Sequence, residues 1–441
     1  MLSAEDNEYL CRVGLGTPMG DLFRQYWIPA IRSDEVEPDG RPLRVRLLGE
    51  DLIGFRSRSG DVGLVQNNCP HRGASLFFGR NEESGLRCVY HGWKFDVTGR
   101  CVDMPNEPAE SNFKDRVRAQ AYPTRERNGI IWAYMGPREV PPPLPDIEAN
   151  MLAKGPAEIS LLFRPCNWMQ GWEGEMDTVH AAFLHSGAAK AEEQEPNSFN
   201  YYQYLNRAAK FMTVDTDYGC CNGASRPAGE DALYYRITQI LFPFYNMIPG
   251  GPLGESVRIG IYVPLDDYNH MHWEISIPHA RLDGTEPADA PPTPAFFSDG
   301  RELKPNTTDW CGRFRSIASY ENDWQMDFEA QKAWKSYTGI PNGRLQDCAM
   351  TETMGPIYDR SQEHLGTTDT LIISMRRRMI QTAKALSEQD IVPPGVDSPE
   401  AYRQRSGEVV LPRNVPWFEA TKELRTRTYV PHDTAPTATG A

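Results

Sequence analysis

The chain has 441 residues, 40% hydrophobic and 24% charged, which is ordinary for a globular protein and long enough for two or more domains with separate cores. Its formal net charge of −14 argues against nucleic acid as a partner, because phosphate neutralisation needs a surplus of Lys and Arg; a small anionic ligand would need a local cluster of arginines. No apolar run reaches the length of a membrane span, and the acidic start, Met1-Leu-Ser-Ala-Glu-Asp-Asn-Glu8, lacks the basic and apolar regions of a secretory signal, so a cytoplasmic location without a membrane partner is expected.

Residues 1–25 read as an N-terminal segment, and a β-rich domain is expected over 26–137. Arg44-Val-Arg-Leu-Leu48, Asp51-Leu-Ile-Gly-Phe55 and Val62-Gly-Leu-Val65 read as strands broken by Gly49-Glu50 and by Ser59-Gly60-Asp61. Lys94-Phe-Asp-Val97 and Arg100-Cys-Val-Asp103 flank Thr98-Gly99 as a tight hairpin, and Gly129-Ile-Ile-Trp-Ala-Tyr-Met135 is a further strand. Gly136-Pro137 and the run Pro141-Pro-Pro-Leu-Pro145 cannot continue a sheet and mark the domain boundary. In the larger second domain, 138–430, strands are expected near 158–164, 202–214, 232–242, 257–263 and 271–277, with helices near 168–184, 321–335 and 371–387. The Pro-, Asp- and Thr-rich segment 281–307 reads as a surface loop, and 431–441 as a frayed tail.

Nine cysteines in a chain without a secretion signal argue for metal ligation or buried thiols rather than disulfides. Cys11, Cys101, Cys166, Cys220, Cys221, Cys311 and Cys348 show no ligand pairing and read as structural. Cys69-Pro-His71-Arg-Gly73 and Cys88-Val-Tyr-His91-Gly-Trp93 are different, because each offers one thiolate and one imidazole from a short loop. Two Cys and two His could hold a structural zinc, or a 2Fe–2S cluster with both cysteines on one iron and both histidines on the other. A zinc finger pairs like with like; here each loop is mixed, which favours the cluster. The two loops together resemble the Rieske domain of ring-hydroxylating oxygenases.

Asp177-Thr-Val-His180-Ala-Ala-Phe-Leu-His185 is the second constellation. Two histidines and a distant carboxylate with open positions form the facial triad of non-haem Fe(II) oxygenases. At their spacing the two imidazoles would point roughly 140° apart on an ideal helix, so the helix must end or distort between them, with Ser186-Gly187 as a stop. Asp177, three residues before His180, would share its helical face as an orienting carboxylate. The residues alone leave the third ligand open among Asp323, Asp327, Asp347, Glu352, Asp359 and Glu363. The spacing Asp-x-x-His-x4-His resembles the mononuclear iron motif of the same oxygenases. That resemblance implies Asp347, in Asp347-Cys-Ala-Met-Thr-Glu352, as the third ligand, with Asp359 as the fallback.

The rest of the chain, including Thr17-Pro-Met-Gly20, Arg24-Gln-Tyr-Trp-Ile-Pro29 and Met350-Thr-Glu-Thr-Met-Gly-Pro, resembles the phthalate dioxygenase branch, in which the α subunit works without a β subunit. The resemblance implies an α+β fold, a β-rich Rieske domain followed by a catalytic domain with a helix-grip type antiparallel sheet and flanking helices. It implies a Rieske 2Fe–2S cluster on Cys69, His71, Cys88 and His91, and Fe(II) on His180, His185 and Asp347. It also implies that Asp177 bridges to His71 or His91 of a neighbouring subunit, in a trimer or stacked hexamer. The expected reaction inserts both atoms of O2 into an aromatic carboxylate, phthalate favoured over isophthalate, chlorobenzoate or another benzoate, with monooxygenation or demethylation as variants. Arg207 and Arg236, in strand-like segments, are the expected carboxylate ligands, with Arg258 next. No Gly-x-Gly-x-x-Gly follows a strand, so electrons from NADH must arrive through a separate flavin and iron–sulfur reductase. A pure Rieske electron-transfer protein and a zinc-stabilised binding protein are the rival readings.

Overall fold

A computed structural model describes residues 2–108, 110–151, 158–187, 189–254, 257–277 and 302–426. The tail 431–441 and residues 281–301 of the expected loop lie outside the described residues.

The N-terminal segment is helical and fully integrated. Helix α1 (Ala4–Cys11) starts at Ser3, whose side chain accepts from Asp6 N, and α2 (Pro18–Arg24) starts at Thr17 with Pro18 in its first turn. Leu10, Met19, Leu22 and Phe23 are buried in the main core with Leu371, Met375 and Met379 of the long helix α6 (Thr370–Gln389).

Small antiparallel sheets build the first domain. β1 (Trp27–Arg32) pairs with β10 (Ile130–Tyr134), which pairs with β9 (Thr124–Arg127). β2 (Leu43–Leu47), β3 (Glu50–Arg56) and β4 (Val62–Gln66) form a second sheet. β5 (Arg80–Glu82), β6 (Gly85–Arg87), β7 (Lys94–Phe95) and β8 (Cys101–Asp103) form a third. The β7–β8 turn is the hairpin expected at Thr98-Gly99, where Gly99 has φ +79° and an added Cβ would fall 2.1 Å from Ala119 O. Ile53, Phe55, Val65, Leu86 and Phe95 pack with Cys69, Cys88 and Trp93 into a core separate from the main one.

The second domain is built on an antiparallel sheet of eight strands. In spatial order these are β11 (Glu158–Arg164), β17 (His270–Ile277), β16 (Val257–Pro264), β15 (Tyr245–Met247), β14 (Ala232–Leu241), β13 (Gly219–Pro227) and β12 (Lys210–Asp215), with β18 (Gly407–Pro412) also paired to β14. Helices α3 (Trp168–Met176), α5 (Gly343–Glu352) and α6 flank it; Trp168, Met169, Trp172 and Met176 of α3 enter the main core.

Three expected elements are revised. The strand expected over 202–214 is helix α4 (Phe199–Leu205), capped by Ser198, followed by the shorter β12. The helix expected over 168–184 ends at Met176, and a 3-10 turn spans His180–Ala182. The helix near 321–335 is a 3-10 segment, Tyr320–Gln325, and a five-residue helix, Phe328–Lys332. Strand β13 carried no alternating signal because eight of its nine residues are buried, so neither face is marked by polar residues.

Candidate metal centres

The two Cys/His loops close in the same way. Cys69 N donates to Ala74 O (2.8 Å) and Gly73 N to Cys69 O (2.9 Å); Cys88 N donates to Trp93 O (2.8 Å) and Gly92 N to Cys88 O (2.9 Å). Gly73 and Gly92 sit at φ +75° and +82°, which glycine adopts without strain. Both thiols are buried, while the imidazoles of His71 and His91 lie near the surface with ring centroids 4.4 Å apart. His71 stacks on Trp93 at 4.3 Å, and Trp93 Nε1 is tied to Asn106 Oδ1.

These residues fit a two-iron cluster better than a single ion. Tetrahedral zinc, with bonds of roughly 2.0–2.3 Å, needs its ligand atoms within about 4 Å of one another. Among the described residues, the group whose ligand atoms all lie within 4.8 Å is His180, His185 and Asp347; no three of Cys69, His71, Cys88 and His91 meet that condition. His91 Nδ1 is buried without a hydrogen-bond partner, a cost that a metal bond removes. Burial pushes the Cys69 thiol up to about 11, so a thiolate there needs a cation to hold it.

The second centre joins α5 to the segment after α3. Asp177 ends α3 and Oδ1 of its side chain accepts from Val179 N (2.8 Å) and His180 N (3.3 Å), turning the chain out of the helix. Asp177 therefore sits at a turn rather than on a helical face with His180, and its Oδ2 lies 3.8 Å from His180 Nδ1. Gly187, at φ +59°, closes the turn that carries His185. Asn342 caps α5, accepting from Arg344 N, and places Asp347 at mid-helix. His180 Nε2 and His185 Nε2 are 3.1 Å apart, and Asp347 Oδ1 lies 3.5 and 3.1 Å from them. Ligands bound at roughly 2.0–2.2 Å and at right angles stand about 3 Å apart, so the three atoms fit one face around an ion.

The surroundings set the protonation of this triad. Burial works against charge on His180, but the hydrogen bond and charge of Asp347 outweigh it and hold the imidazole up at about 9. Burial likewise opposes charge on Asp347, yet the two histidines hold its carboxyl far below the usual range. Gln346 was not anticipated from sequence. Its Nε2 donates to Thr338 Oγ1 and Ile340 O, both at 3.0 Å, which leaves Oε1 to accept from His185 Nδ1 at 2.8 Å and turns Nε2 of that ring toward the triad. Asp359 is elsewhere, capping a 3-10 turn through Ser361.

Two cavities, of about 460 and 370 Å³, meet at the triad and share Glu175, Asp177, His180, Arg344 and Asp347. The larger extends to Gln203, Tyr204, Arg236, Thr238 and Glu408, the smaller to Phe183, Leu184, Tyr262, Met350 and Met354. Arg236 lies on β14 and lines the larger cavity. Arg207 does not line it: it leaves the loop before β12, stacks over Phe183, and donates to Ala182 O, Gly187 O and Ala189 O, each at 3.1 Å. Its guanidinium braces the histidine loop, a correction to its expected place. Arg258 is paired with Glu274. Two further donors went unanticipated beside Arg236. Gln203 Nε2, and both terminal nitrogens of the fully buried Arg226, have no hydrogen-bond partner.

Comparison with known proteins finds matches to both parts of the chain. A model described as Rieske [2Fe-2S] domain matches residues 26–123, and one described as LigXa C-terminal domain like matches residues 133–433. The chain is 42% identical over 428 residues to the 3-chlorobenzoate-3,4-dioxygenase oxygenase subunit of Comamonas testosteroni, covering 96% of this chain and 98% of that protein. It is 38% identical over 405 residues to the phthalate 4,5-dioxygenase oxygenase subunit of Pseudomonas putida, covering 87% of each. In fold it is similar to dicamba monooxygenase (TM-score 0.55, 18% identity, 82% of this chain and 98% of that one). The terminal oxygenase of carbazole 1,9a-dioxygenase from Novosphingobium sp. KA1 is comparable (TM-score 0.53, 20% identity, 86% and 99%).

Proposed function

Because the chain belongs to the Rieske non-haem iron oxygenases, as the oxygenase component of an aromatic dioxygenase, we propose that it dihydroxylates the ring of a benzoate bearing one carboxylate, a chlorobenzoate type of acid. The observation that carries this reading is the excess of donors over the single carboxylate of Glu408 at the cavity end away from the triad. Arg236 lines it, held by Gln203 Oε1 and Pro249 O, while Gln203 Nε2 borders it and Arg226 stands behind; an acceptor anion satisfies these last two, which are otherwise buried at a cost. Arg344, the other lining arginine, is already paired with Glu175 and Glu274. Arg236, the lining arginine at the end away from the triad, suits one carboxylate. Phthalate, favoured on sequence, becomes the second reading, supported by the phthalate relative.

When bound, the Rieske cluster supplies single electrons and the mononuclear iron activates O2. Cys69, His71, Cys88 and His91 would hold the first, and His180, His185 and Asp347 the second. The protein's own part is positioning. Arg236 fixes the acid's carboxylate, Thr238 and Tyr204 flank the ring, and Gln346 holds His185 in one tautomer. The balance is one acid, one O2, two electrons and two protons to one cis-dihydrodiol, the electrons coming from NADH through a separate flavin and iron–sulfur reductase.

The assembly is part of the same reading. Val89 and Tyr90 stand exposed beside the cluster loops, and Phe183, Met350 and Met354 stand exposed around the smaller cavity that reaches Asp177. Two apolar faces at opposite functions suit a head-to-tail ring, a trimer or stacked hexamer, in which Asp177 meets His71 or His91 of the next subunit.

Turnover of a benzoate panel with product analysis tests the proposal. Arg236→Gln should lower kcat/KM for 3-chlorobenzoate roughly 30- to 1000-fold with iron content unchanged. Equal turnover of neutral aromatics by the unmodified enzyme would overturn it.

A further inference from the structure

We propose that Glu408 selects the charge of the acid: ionised, it leaves the closed end of the cavity matched to a monocarboxylate, and a dicarboxylate binds only as Glu408 takes up a proton. This deepens the reading of the donor-rich end given above and rests on it.

The placement follows from the register of three strands. Glu408 on β18 lies opposite Arg236 on β14, and Arg236 lies opposite Ala224 on β13, with Arg226 two residues further on. Arg226, Tyr234, Arg236 and Glu408 therefore project from one face of the sheet, and Arg236 and Glu408 reach the cavity. The backbone of Glu408 is fixed on its other side, its N donating to Gly251 O and its O accepting from Leu253 N, both at 2.9 Å. The groups facing it are thus Arg236 and Tyr234 from β14 and Arg226 from β13, while the 251–253 segment offers only backbone.

Counting charge over this end, among the described residues, gives two arginines and one carboxylate. Neither arginine can shed its proton at neutral pH, so Glu408 is the group able to change state. Burial raises its carboxyl, against Arg236, the Tyr234 hydroxyl and Arg226, which lower it. Burial also brings Arg226 down to about 10, with the neighbouring charge of Arg236 adding to it. A guest with one carboxylate brings the end to neutrality with Glu408 ionised. A guest with two carboxylates leaves an excess negative charge in a poorly solvated place, relieved when Glu408 binds a proton. Bond changes are confined to that proton, drawn from solvent.

The experiment is calorimetric titration of the metal-loaded oxygenase, without reductant, in two buffers of different ionisation enthalpy. Binding of phthalate should take up about one proton and binding of 3-chlorobenzoate about none. The phthalate Kd should loosen by about tenfold per pH unit above neutrality while the 3-chlorobenzoate Kd stays level. In Glu408→Gln, phthalate should gain about tenfold over 3-chlorobenzoate and lose its pH dependence, and Glu408→Asp should keep the unmodified pattern. Equal proton uptake for the two acids in the unmodified protein overturns the proposal without relying on any variant. If Arg236→Gln weakens both acids while Glu408→Gln leaves their ratio unchanged, the charge selector is wrong and the donor-rich end stands. If Arg236→Gln leaves both unchanged, the underlying reading falls and the selector with it.

Discussion

His185 is held at both nitrogens, Nδ1 by Gln346 and Nε2 in the triad, whereas His180 meets Asp177 at 3.8 Å and Asp347 at 3.5 Å. The triad's residues should therefore be separable by metal content. Asp347→Ala should lower iron from about three to about two per subunit and leave the Rieske EPR signal intact, and Asp359→Ala should change neither. Retained iron in the Asp347 variant would hand the role elsewhere. Arg207, braced on three carbonyls of the histidine loop, gives the opposite pattern to a substrate ligand. Arg207→Gln should weaken retention of the mononuclear iron and slow turnover of mono- and dicarboxylates equally, read by iron analysis and the ratio of their kcat/KM values. A selective loss on one acid would return Arg207 to the binding site. At this scale the two Cys/His loops were legible because thiolate and imidazole chemistry restricts both residue type and short spacing. Glu408 and Arg226 were not, since they lie on separate strands that meet only through register, and Gln203 was not, since the helix that carries it was read as strand.

The exit from α3 is the element on which the second centre depends. Asp177 turns the backbone through two accepted N–H bonds, and an asparagine keeps that acceptor oxygen. Asp177→Asn should preserve both metal sites and the turn while removing the charge beside His180. The expected result in single turnover is normal cluster reduction with oxidation by the second centre slowed by about ten- to a hundredfold, the range for outer ligand partners. Rapid oxidation would end the bridging role. The pattern of legibility changes here as well. Long α6 and the alternating strands read correctly, because one buried face imposes a period on them. The segments 168–184 and 202–214 were misread, because a side-chain turn at Asp177 and a cap at Ser198 override the local apolar pattern.

Across the whole molecule, acid stability has an identifiable contributor. His270 starts β17 fully buried, donating Nδ1 to Cys166 O at 2.8 Å, and burial with the charge of Arg164 brings its imidazole down to about 3. Its folded value lies below the unfolded one of 6.5, so the unfolded chain binds the proton first. The contribution is complete above about 6.5 and is lost as pH falls toward 3, at up to about 1.4 kcal/mol per pH unit. His270→Asn should flatten that part of a stability profile measured by denaturant titration between neutral pH and pH of about 4. An unchanged slope relative to the unmodified protein would place the acid sensitivity elsewhere.

The two centres differ in how much chain they tie together. Cys69 to His91 is one neighbourhood of the sequence, closed by backbone bonds within each loop. His185 and the Gln346–Asp347 pair are joined across 161 residues, so their site exists only after α5 has docked on the completed sheet. The first site thus draws on one short stretch of chain, whereas the second needs the fold of the whole second domain to bring its residues together.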